Sequence, residues 1–416
     1  MDINYIALAI PIFLLLIGIE ALFAWHEQRE YYRFNDAIND LSCGIIQQVI
    51  GVFMKTVLFA GYLFLFDRFA LLNISEKSII AWVVIFFGVD FFYYWFHRMS
   101  HEMNAPWAAH IVHHQSEEFN LAVALRQGTF QSSFSWIFYL PLAIIGFPPV
   151  MFLTMSAFNT LYQFWIHTRA IGKLGPLEWV LNTPSHHRVH HGRNPKYLDK
   201  NHAGTLIIWD RMFGTFQAEE EEVVYGVTEP LNSWNPVWAN LQYWTKLWRE
   251  MKTLPRFIDK IEFWLKPPGW RPQELPPLPP HPEVTPATIV KYDTKIPLGL
   301  QLYVLLHFMP TIWGVTLILN HESDWPWPQL TIVAGLILFT VLNMGGILDK
   351  KPWALKFEIV RLITLAVVVG AYFSTSNFFA LIVATVFVLM LTSFLGLFRF
   401  QNIFNSTKLP TAAFET

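Results

Sequence analysis

The chain has 416 residues, of which 53% are hydrophobic and 14% are charged, and its net charge is −2. Soluble domains carry about 25% charged residues, so this composition, with a mean hydropathy of +0.34, indicates an integral membrane protein. The near-neutral charge argues against a nucleic-acid partner. The single cysteine, Cys43, excludes an intrachain disulfide and a metal site built from several thiolates.

Nine apolar runs predict helices that cross or enter the membrane, because about 20 residues span the hydrocarbon core. The first run has no basic segment before it and no small-residue cleavage site, so a retained transmembrane helix is predicted rather than a signal peptide. Two runs are predicted to form a hairpin that turns at Gly146-Phe147-Pro148-Pro149, with a first half shorter than a full crossing. The runs lie at about 4–25, 42–66, 78–96, 132–149, 150–167, 297–319, 328–348, 355–374 and 378–398.

The basic residues predict the orientation of the chain, because cytosolic loops are enriched in Lys and Arg. Three segments with such residues are predicted to be cytosolic, namely 26–36, 349–356 and the C-terminus, and all three histidine clusters described below then share that face. The loop 67–77, with Arg68 and Lys77, argues against this orientation. The membrane is expected to be the endoplasmic reticulum of a eukaryote or the inner membrane of a bacterium.

A polar region at about 168–296 separates the hairpin from the later helices. Aromatic and basic residues recur at helical spacing over 233–265, which predicts an amphipathic helix in the membrane interface; a helix packed on the cytosolic domain is the alternative. A proline-rich run at 267–286 predicts a stiff linker. The predicted domains are a catalytic part at 1–232, interfacial helices and linker at 233–296, and C-terminal transmembrane helices at 297–416.

Histidines form three short clusters, and eleven of the fifteen histidines fall between His97 and His202. Within each cluster, residues three or four apart lie on one face of a helix. Three such faces can converge on one cavity, and eight imidazoles exceed the six positions of one octahedral ion, so two metal ions are predicted. The clusters are His97 and His101; His110, His113 and His114; and His187, His190 and His191.

The ligand type narrows the identity of the metal. All-imidazole sites suit iron, copper or zinc. Iron that activates oxygen for attack on lipid C–H bonds fits a dinuclear site beside apolar helices, and zinc-dependent hydrolysis is the competing chemistry. A metal-binding transporter or scaffold is the competing class of protein. The position of the clusters at one predicted end of the helices argues against that class.

The other histidines receive separate predictions. His167, at the exit of the hairpin, is predicted to be a ninth ligand, with an interfacial helix-end histidine as the alternative. His186 points about 100° away from His187 on a helix, so it is expected to support the site from outside. The remaining histidines have no cluster spacing and are predicted to be ordinary: His26, His202, His281, His307 and His321.

Four carboxylates are candidates for supporting roles. Asp90 lies in an apolar run two turns before His97, and it is predicted to accept an N–H from a ligand imidazole, with a structural bond to another helix as the alternative. Glu102, next to His101, is a candidate for supporting a ligand or binding the reductant, or is a solvated carboxylate. Asp199 and Asp210 are candidates for holding ligands, with loop caps as the alternative.

The clusters and their flanking residues resemble the membrane fatty acid hydroxylase and sterol desaturase superfamily. The flanking blocks are closer to its pterin-dependent, ether-lipid-cleaving members, and the likeness covers roughly 80–230. The matching blocks lie between Gly88 and Glu102, and at Asn120-Leu121, Ala124–Gln127, Leu161–Thr168, Leu181–Asn194, Asp199–Asn201, Leu206–Asp210 and Phe213–Phe216.

The resemblance implies a chemistry. Two iron ions held by the histidines would activate O2 with electrons from tetrahydrobiopterin. Hydroxylation of the alkyl carbon next to the ether oxygen of an alkylglycerol gives a hemiacetal, which collapses to a fatty aldehyde and a glycerol derivative. The expected partners are therefore a membrane ether lipid and O2. Hydroxylation or desaturation of a sterol, fatty acid or carotenoid with a different electron donor stays open, because no motif identifies a pterin pocket.

Overall fold

The computed structural model describes residues 5–279 and 284–405, and the regular elements of these residues are helices. Only two isolated β-bridges occur in the described part, Leu181–Leu206 and Gly192–Tyr225, so the all-α prediction is confirmed. The α-helices are α1 Tyr5–His26, α2 Phe34–Phe69, α3 Ile79–Glu102, α4 Asn104–His114, α5 Ser132–Ile145, α6 Pro149–Trp165, α7 Pro184–His190, α8 Ile208–Phe213, α9 Pro236–Thr253, α10 Phe257–Glu262, α11 Leu298–His321, α12 Trp327–Leu348, α13 Ala354–Tyr372, α14 Phe379–Phe398 and α15 Gln401–Asn405. Short 3-10 helices lie at Val123–Leu125, Gly175–Trp179 and Pro195–Tyr197.

Six helices among the described residues are long and apolar enough to cross a membrane, namely α1, α2, α3, α11, α12 and α14. They confirm a polytopic membrane protein. Every predicted apolar run is a helix, but α2 begins at Phe34 rather than near 42. The hydropathy of the sequence did not predict the first two turns of α2, because they contain polar residues. Among these, Asn39 and Asp40 are buried against other polar groups.

The chain divides into two compact units. The first runs to Asn232 and includes Val237–Tyr292, and the second consists of Ser233–Pro236 and the residues from Asp293 onward. All three histidine clusters lie in the first unit. In that unit α3 packs against α4, α5 and α6, and α2 packs against α5.

The hairpin of α5 and α6 reaches the loop at the far end of α2. The backbone N–H of Leu71 donates to Ile144 O at 2.8 Å, and that of Leu72 donates to Ile145 O at 3.1 Å. The hydroxyl of Tyr62 donates to Phe147 O at 2.9 Å. The turn of the hairpin is thus fixed beside the α2–α3 loop.

Within the first unit, the segment that contains α9 and α10 packs against α4 through one face. Tyr243 and Leu247 are buried against Ala108 and Ile111 of α4. The opposite face exposes large apolar side chains of α9, namely Trp238, Leu241 and Trp248. The proline-rich run contains no helix over 267–279, and its residues 280–283 lie outside the described residues.

The second unit contains a buried ion pair. Arg361 donates through Nε to a Glu358 carboxylate oxygen at 2.7 Å, and both side chains are buried. The amide of Asn343 and the hydroxyl of Tyr303 donate to the same carboxylate. Because Tyr303, Asn343 and Glu358 belong to α11, α12 and α13, this carboxylate joins three helices of the unit, as expected of a buried charge among apolar helices.

We predict that Gly146→Ala destabilises the protein. Gly146 ends α5 with φ +108°, and an added Cβ would lie 2.0 Å from Leu72 O, so both the backbone and the space oppose a side chain. The strained backbone alone costs about 1–3 kcal/mol. Thermal unfolding of the detergent-solubilised protein should show a lower midpoint.

The matched control is Gly51→Ala, inside α2. An added Cβ meets nothing within 4 Å there, and alanine favours a helix interior over glycine by about 1 kcal/mol. Its midpoint should be unchanged or higher. Equal midpoints for the two variants would contradict the role given to Gly146.

Candidate metal centre

Nine buried histidines form two adjacent groups of imidazole nitrogens. Within each group, one ring nitrogen from every histidine lies within 4.8 Å of the others. The rings of the two groups also touch, with 4.4 Å between the centroids of His114 and His191. The first group contains His97, His101, His110, His114 and His190, and the second contains His113, His167, His187 and His191.

The sequence clusters do not correspond to the two groups. Residues four apart share a group, as His110 and His114 do in the first and His187 and His191 do in the second. The third member of each cluster, His113 or His190, belongs to the other group. The reason is helical geometry, because neighbouring residues such as His113 and His114 point about 100° apart. Each of α4 and α7 therefore contributes to both groups.

Four helices, α3, α4, α6 and α7, bring the ligand candidates together at or near their ends. His97 and His101 lie on the last two turns of α3, and α4 begins directly after Met103. His167 follows the end of α6, where Ile166 caps the helix. Thr168 and Tyr32 both donate hydroxyl hydrogen bonds to buried Glu20 of α1, and this carboxylate fixes the segment that follows α6.

Backbone carbonyls hold the outer nitrogens of several histidines. Nδ1–H of His97 donates to His202 O at 2.7 Å, and that of His190 donates to Lys200 O at 2.9 Å. Two further Nδ1–H groups donate at 2.7 Å each, from His113 to Arg126 O and from His167 to Gln163 O. Since a carbonyl oxygen only accepts, these four rings carry their proton on Nδ1.

The inner nitrogens therefore present lone pairs to one another. Nε2 of His167 lies 3.2 Å from Nε2 of His113, and both rings are protonated on the other nitrogen. Two lone pairs cannot form a hydrogen bond. Three further inner nitrogens, Nε2 of His101, His190 and His191, are buried without a hydrogen-bond partner. Such an arrangement is satisfied by a cation that accepts several lone pairs at once.

The imidazoles outside the membrane-spanning helices are held in the neutral form. Burial, followed by the neighbouring His101, lowers the pKa of His110 to about 3. Burial lowers the pKa of His167 to about 4. Burial and neighbouring histidines hold the pKa of His113, His114, His187, His190 and His191 well below the usual value. Neutral imidazole is the form that binds metal.

The donor set fits two metal ions of the iron, copper or zinc type. Five imidazoles surround one position and four surround the other. On an octahedral ion such as iron, four or five protein ligands would leave at least one position for water or a reactant. The groups contain no thiolate and no carboxylate among the described residues.

Comparison with known proteins places this centre in a family. The fatty acid hydroxylase family model matches residues 82–215, which include all nine histidines. The chain is 40% identical to the alkylglycerol monooxygenase of Xenopus tropicalis over 366 residues, covering 86% of this chain and 80% of that protein. It is 38% identical to the alkylglycerol monooxygenase of Homo sapiens over 372 residues, covering 86% and 81%.

The chain belongs to the alkylglycerol monooxygenase family. The Caenorhabditis elegans alkylglycerol monooxygenase is 30% identical over 367 residues, which cover 81% of this chain and 70% of that protein. No solved structure matches the chain. The chain is accordingly an integral membrane oxidoreductase of the monooxygenase type, with a histidine-rich metal site.

In this member of the alkylglycerol monooxygenase family, Asp90 does not contact a histidine as the sequence predicted. Its buried carboxylate accepts the backbone N–H groups of Thr205 and Leu206 at 2.7 and 3.0 Å. It also accepts Nε1–H of Trp209 at 2.9 Å and the amide of Asn159 at 2.7 Å. The expected bond to a ligand imidazole is wrong, because Asp90 is directed to the 205–209 segment and fixes it against α3 and α6.

The other candidate carboxylates differ in their distance from the histidines. Glu102 accepts Nε–H of Arg98 at 2.8 Å, and its side chain is 36% exposed, so it lies outside both histidine groups. Asp199 lies 3.4 Å from Nδ1 of His101. Asp210 is buried and accepts the backbone N–H groups of His202 and Ala203 at 2.8 Å each.

His202, which the sequence predicted to be ordinary, lies outside both histidine groups but close to them. Its ring is fully buried, with its centroid 5.0 Å from that of His101, and its carbonyl accepts from His97. His186 lies outside both groups and packs against Phe216. His281 lies outside the described residues. The sequence did not predict that His202 lies near the metal centre, because it is not spaced like the clustered histidines. It does belong to the stretch in which histidines are concentrated.

Sequence reasoning also missed the groups that position the imidazoles. Arg126 is fully buried, its carbonyl accepts from His113, and its guanidinium donates to Val112 O at 2.5 Å and to Asp40 at 3.1 Å. The amide oxygen of Gln131 lies 2.9 Å from Nδ1 of His110. Most of these contacts use main-chain oxygens, which every residue has, so residue type gives no signal for them.

We predict that the metal-free protein loses stability as the pH falls from about 6.5 towards about 4. The folded pKa of the buried imidazoles is below the unfolded value of about 6.5, so the unfolded chain binds more protons in this window. Each such imidazole contributes up to about 1.4 kcal/mol per pH unit. The measurement is the thermal unfolding midpoint of chelator-treated protein in detergent between pH 5 and pH 8.

The variant His110→Gln provides the comparison, because it removes one buried imidazole whose pKa lies at about 3. Its midpoint should depend less steeply on pH than that of the native chain. A native midpoint that is the same at pH 5 and pH 7 would show that the imidazoles are not held neutral by the fold.

Proposed function

We propose that the chain is a di-iron, tetrahydrobiopterin-dependent monooxygenase that hydroxylates the alkyl carbon next to the ether oxygen of alkylglycerol lipids. The products are a fatty aldehyde and a glycerol derivative. The observation that carries the proposal is the pair of buried histidine groups with facing lone pairs. Similarity to alkylglycerol monooxygenases over 86% of the chain supports the substrate and the type of reaction, and the pterin is what the resemblance of the flanking blocks implies.

Nine histidines would hold the two irons, five around one ion and four around the other. When bound, the irons would supply oxygen activation and the pterin would supply electrons. The protein contributes neutral imidazoles whose directions are fixed by carbonyls, such as those of His202 and Arg126. All nine side chains are buried, which keeps bulk water from the reacting carbon.

The position of the site suits a membrane lipid. His97 lies 18 residues after the first residue of α3, Ile79, which is about 27 Å along the helix. A hydrocarbon core of about 30 Å therefore ends close to the histidines. When the tail of a lipid lies in this core, the tail carbons next to the headgroup lie at the level of the histidines. In an ether lipid, the ether linkage lies at these carbons.

We place the site on the cytosolic side. Because α2 and α3 are successive candidate spans, the connection between α1 and α2 lies on the same side as the end of α3. That connection contains Arg29 and Arg33, and cytosolic connections are enriched in Arg and Lys. The irons would then face the cytosol.

We propose different roles in the reaction for Glu102 and Asp90. Glu102 is partly exposed and paired with Arg98, so it is positioned to meet a soluble reductant rather than an iron. Asp90 would act through the 205–209 segment, which follows directly after the residues that accept from His97 and His190.

The deciding experiment is to incubate the purified, iron-loaded protein with an alkylglycerol, O2 and tetrahydrobiopterin and to measure fatty aldehyde. Aldehyde should form only when the lipid, O2 and the pterin are all present. Aldehyde formation without the pterin would contradict its role as reductant. Oxidation of a sterol or free fatty acid in place of the ether lipid, with another electron donor, would favour the alternative specificity.

We predict that His187→Ala and His167→Ala each lower iron content and reduce aldehyde formation by at least about 100-fold, because each removes a ligand of the four-histidine group. Iron is measured per protein by mass spectrometry, and product by chromatography. His26→Ala is the control, because its side chain is 81% exposed. It should retain native iron and activity. Native activity in His167→Ala would remove His167 from the ligand set.

A further inference from the structure

The segment 199–203 contacts three of the five histidines in the first group. The carbonyl of His202 accepts Nδ1–H of His97, and that of Lys200 accepts Nδ1–H of His190. The carboxylate of Asp199 lies 3.4 Å from Nδ1 of His101. One short stretch of chain thus sets the ring directions of most of this group.

The second group has no such shared segment among the described residues. His113 donates to Arg126 O, and His167 donates to Gln163 O, four residues earlier in the chain and within α6. Nδ1 of His187 is buried without a partner. The supports of the second group are therefore separate, and none of them belongs to the segment 199–203.

The backbone of the segment is unusual, and the side chain of Asn201 is one of its anchors. Asp199 and Asn201 both have φ +55°, in the left-handed region, which is uncommon outside glycine. The amide of Asn201 donates to His186 O at 3.0 Å and to Gln217 O at 2.7 Å. Its side-chain oxygen accepts the backbone N–H of Gln217 at 2.9 Å.

A second anchor lies at the end of the segment. The buried carboxylate of Asp210 accepts the backbone N–H groups of His202 and Ala203, and the hydroxyl of Thr215 at 2.7 Å. Neither Asn201 nor Asp210 touches a histidine ring of either group through its side chain. Asp210 acts on the imidazoles through the main chain of the segment, and Asn201 acts through that main chain and also joins the segment to α7 through His186 O.

We propose that Asn201 is a positioning residue that sets the affinity of the first histidine group for its metal ion and leaves the second group unaffected. The inference rests on the proposed function, in which each group binds one ion. Loss of the anchor lets the carbonyls of Lys200 and His202 move away from His190 and His97. Loss of such outer hydrogen bonds typically lowers metal affinity by 10–100-fold.

The test is Asn201→Gly, because glycine accepts the left-handed backbone and only the anchoring side chain is lost. Metal-loaded protein is titrated with a chelator, and iron per protein is measured at each step. One of two ions should leave at a chelator concentration about 10–100-fold lower than in the native protein. The other ion should leave at the native concentration.

The matched control is Asn194→Gly. Asn194 is also buried and makes three side-chain hydrogen bonds, to the carboxylate of Glu221, the carbonyl of Glu222 and the N–H of Val224, at 2.8–3.0 Å. These partners belong to a segment that holds none of the nine histidines. Both ions should leave as they do from the native protein.

Combined variants identify the ion that is weakened. In a His187→Ala background, where the four-histidine group is already damaged, Asn201→Gly should remove the remaining ion. In a His101→Ala background it should cause no further loss, because the same group is already damaged. The inference is overturned if Asn201→Gly weakens both ions equally or weakens neither.

Two further measurements keep the outcomes separate. If Asn201→Gly does not fold, as judged by size-exclusion chromatography and circular dichroism, Asp210→Asn replaces it, because it keeps the shape of the side chain and loses one acceptor. The same loss of one ion is expected.

A native protein that binds no metal would refute the proposed function. A native protein that binds two ions, together with a variant that behaves like it, would refute only this inference.

Discussion

The burial of nine imidazoles whose inner nitrogens face one another is the constraint on which the rest of the structure depends. Lone pairs such as those of His113 and His167, 3.2 Å apart, have no protein donor between them. Protonation would relieve one pair, but burial lowers the pKa of His167 to about 4 and opposes it. Metal binding satisfies these nitrogens together. The same bound metal would therefore stabilise the fold and supply the chemistry.

That constraint explains the polar groups around the site. Each fixed ring needs an acceptor on its outer nitrogen, and carbonyls at Gln163, Arg126, Lys200 and His202 supply one. Buried side chains such as Arg126 and Asp210 fix the main-chain segments that contain these carbonyls, because they form hydrogen bonds with neighbouring groups. Burying a charged side chain among apolar helices costs free energy. Here the buried charges fix the directions of the imidazole rings and do not only join helices.

The sequence predicted the site better than it predicted the support of the site. Helical spacing correctly brought all eight cluster histidines to one place, and His167 lies beside them. The same reasoning failed for Asp90, which shares the face of His97 but turns to the 205–209 segment. Spacing along one helix says which residues share a face; it does not say which neighbouring segment approaches that face.

The sequence by itself determined the apolar helices, the number and type of the clustered histidines and, through the likeness of its blocks, the family. These depend on local periodicity and on residue type, which are written in the chain. Only the tertiary structure decided that each of α4 and α7 serves both histidine groups and that the segment 199–203 holds one group. The physical reason is that these choices depend on main-chain carbonyls and on the rotation of helices against each other, and every sequence offers the same carbonyls.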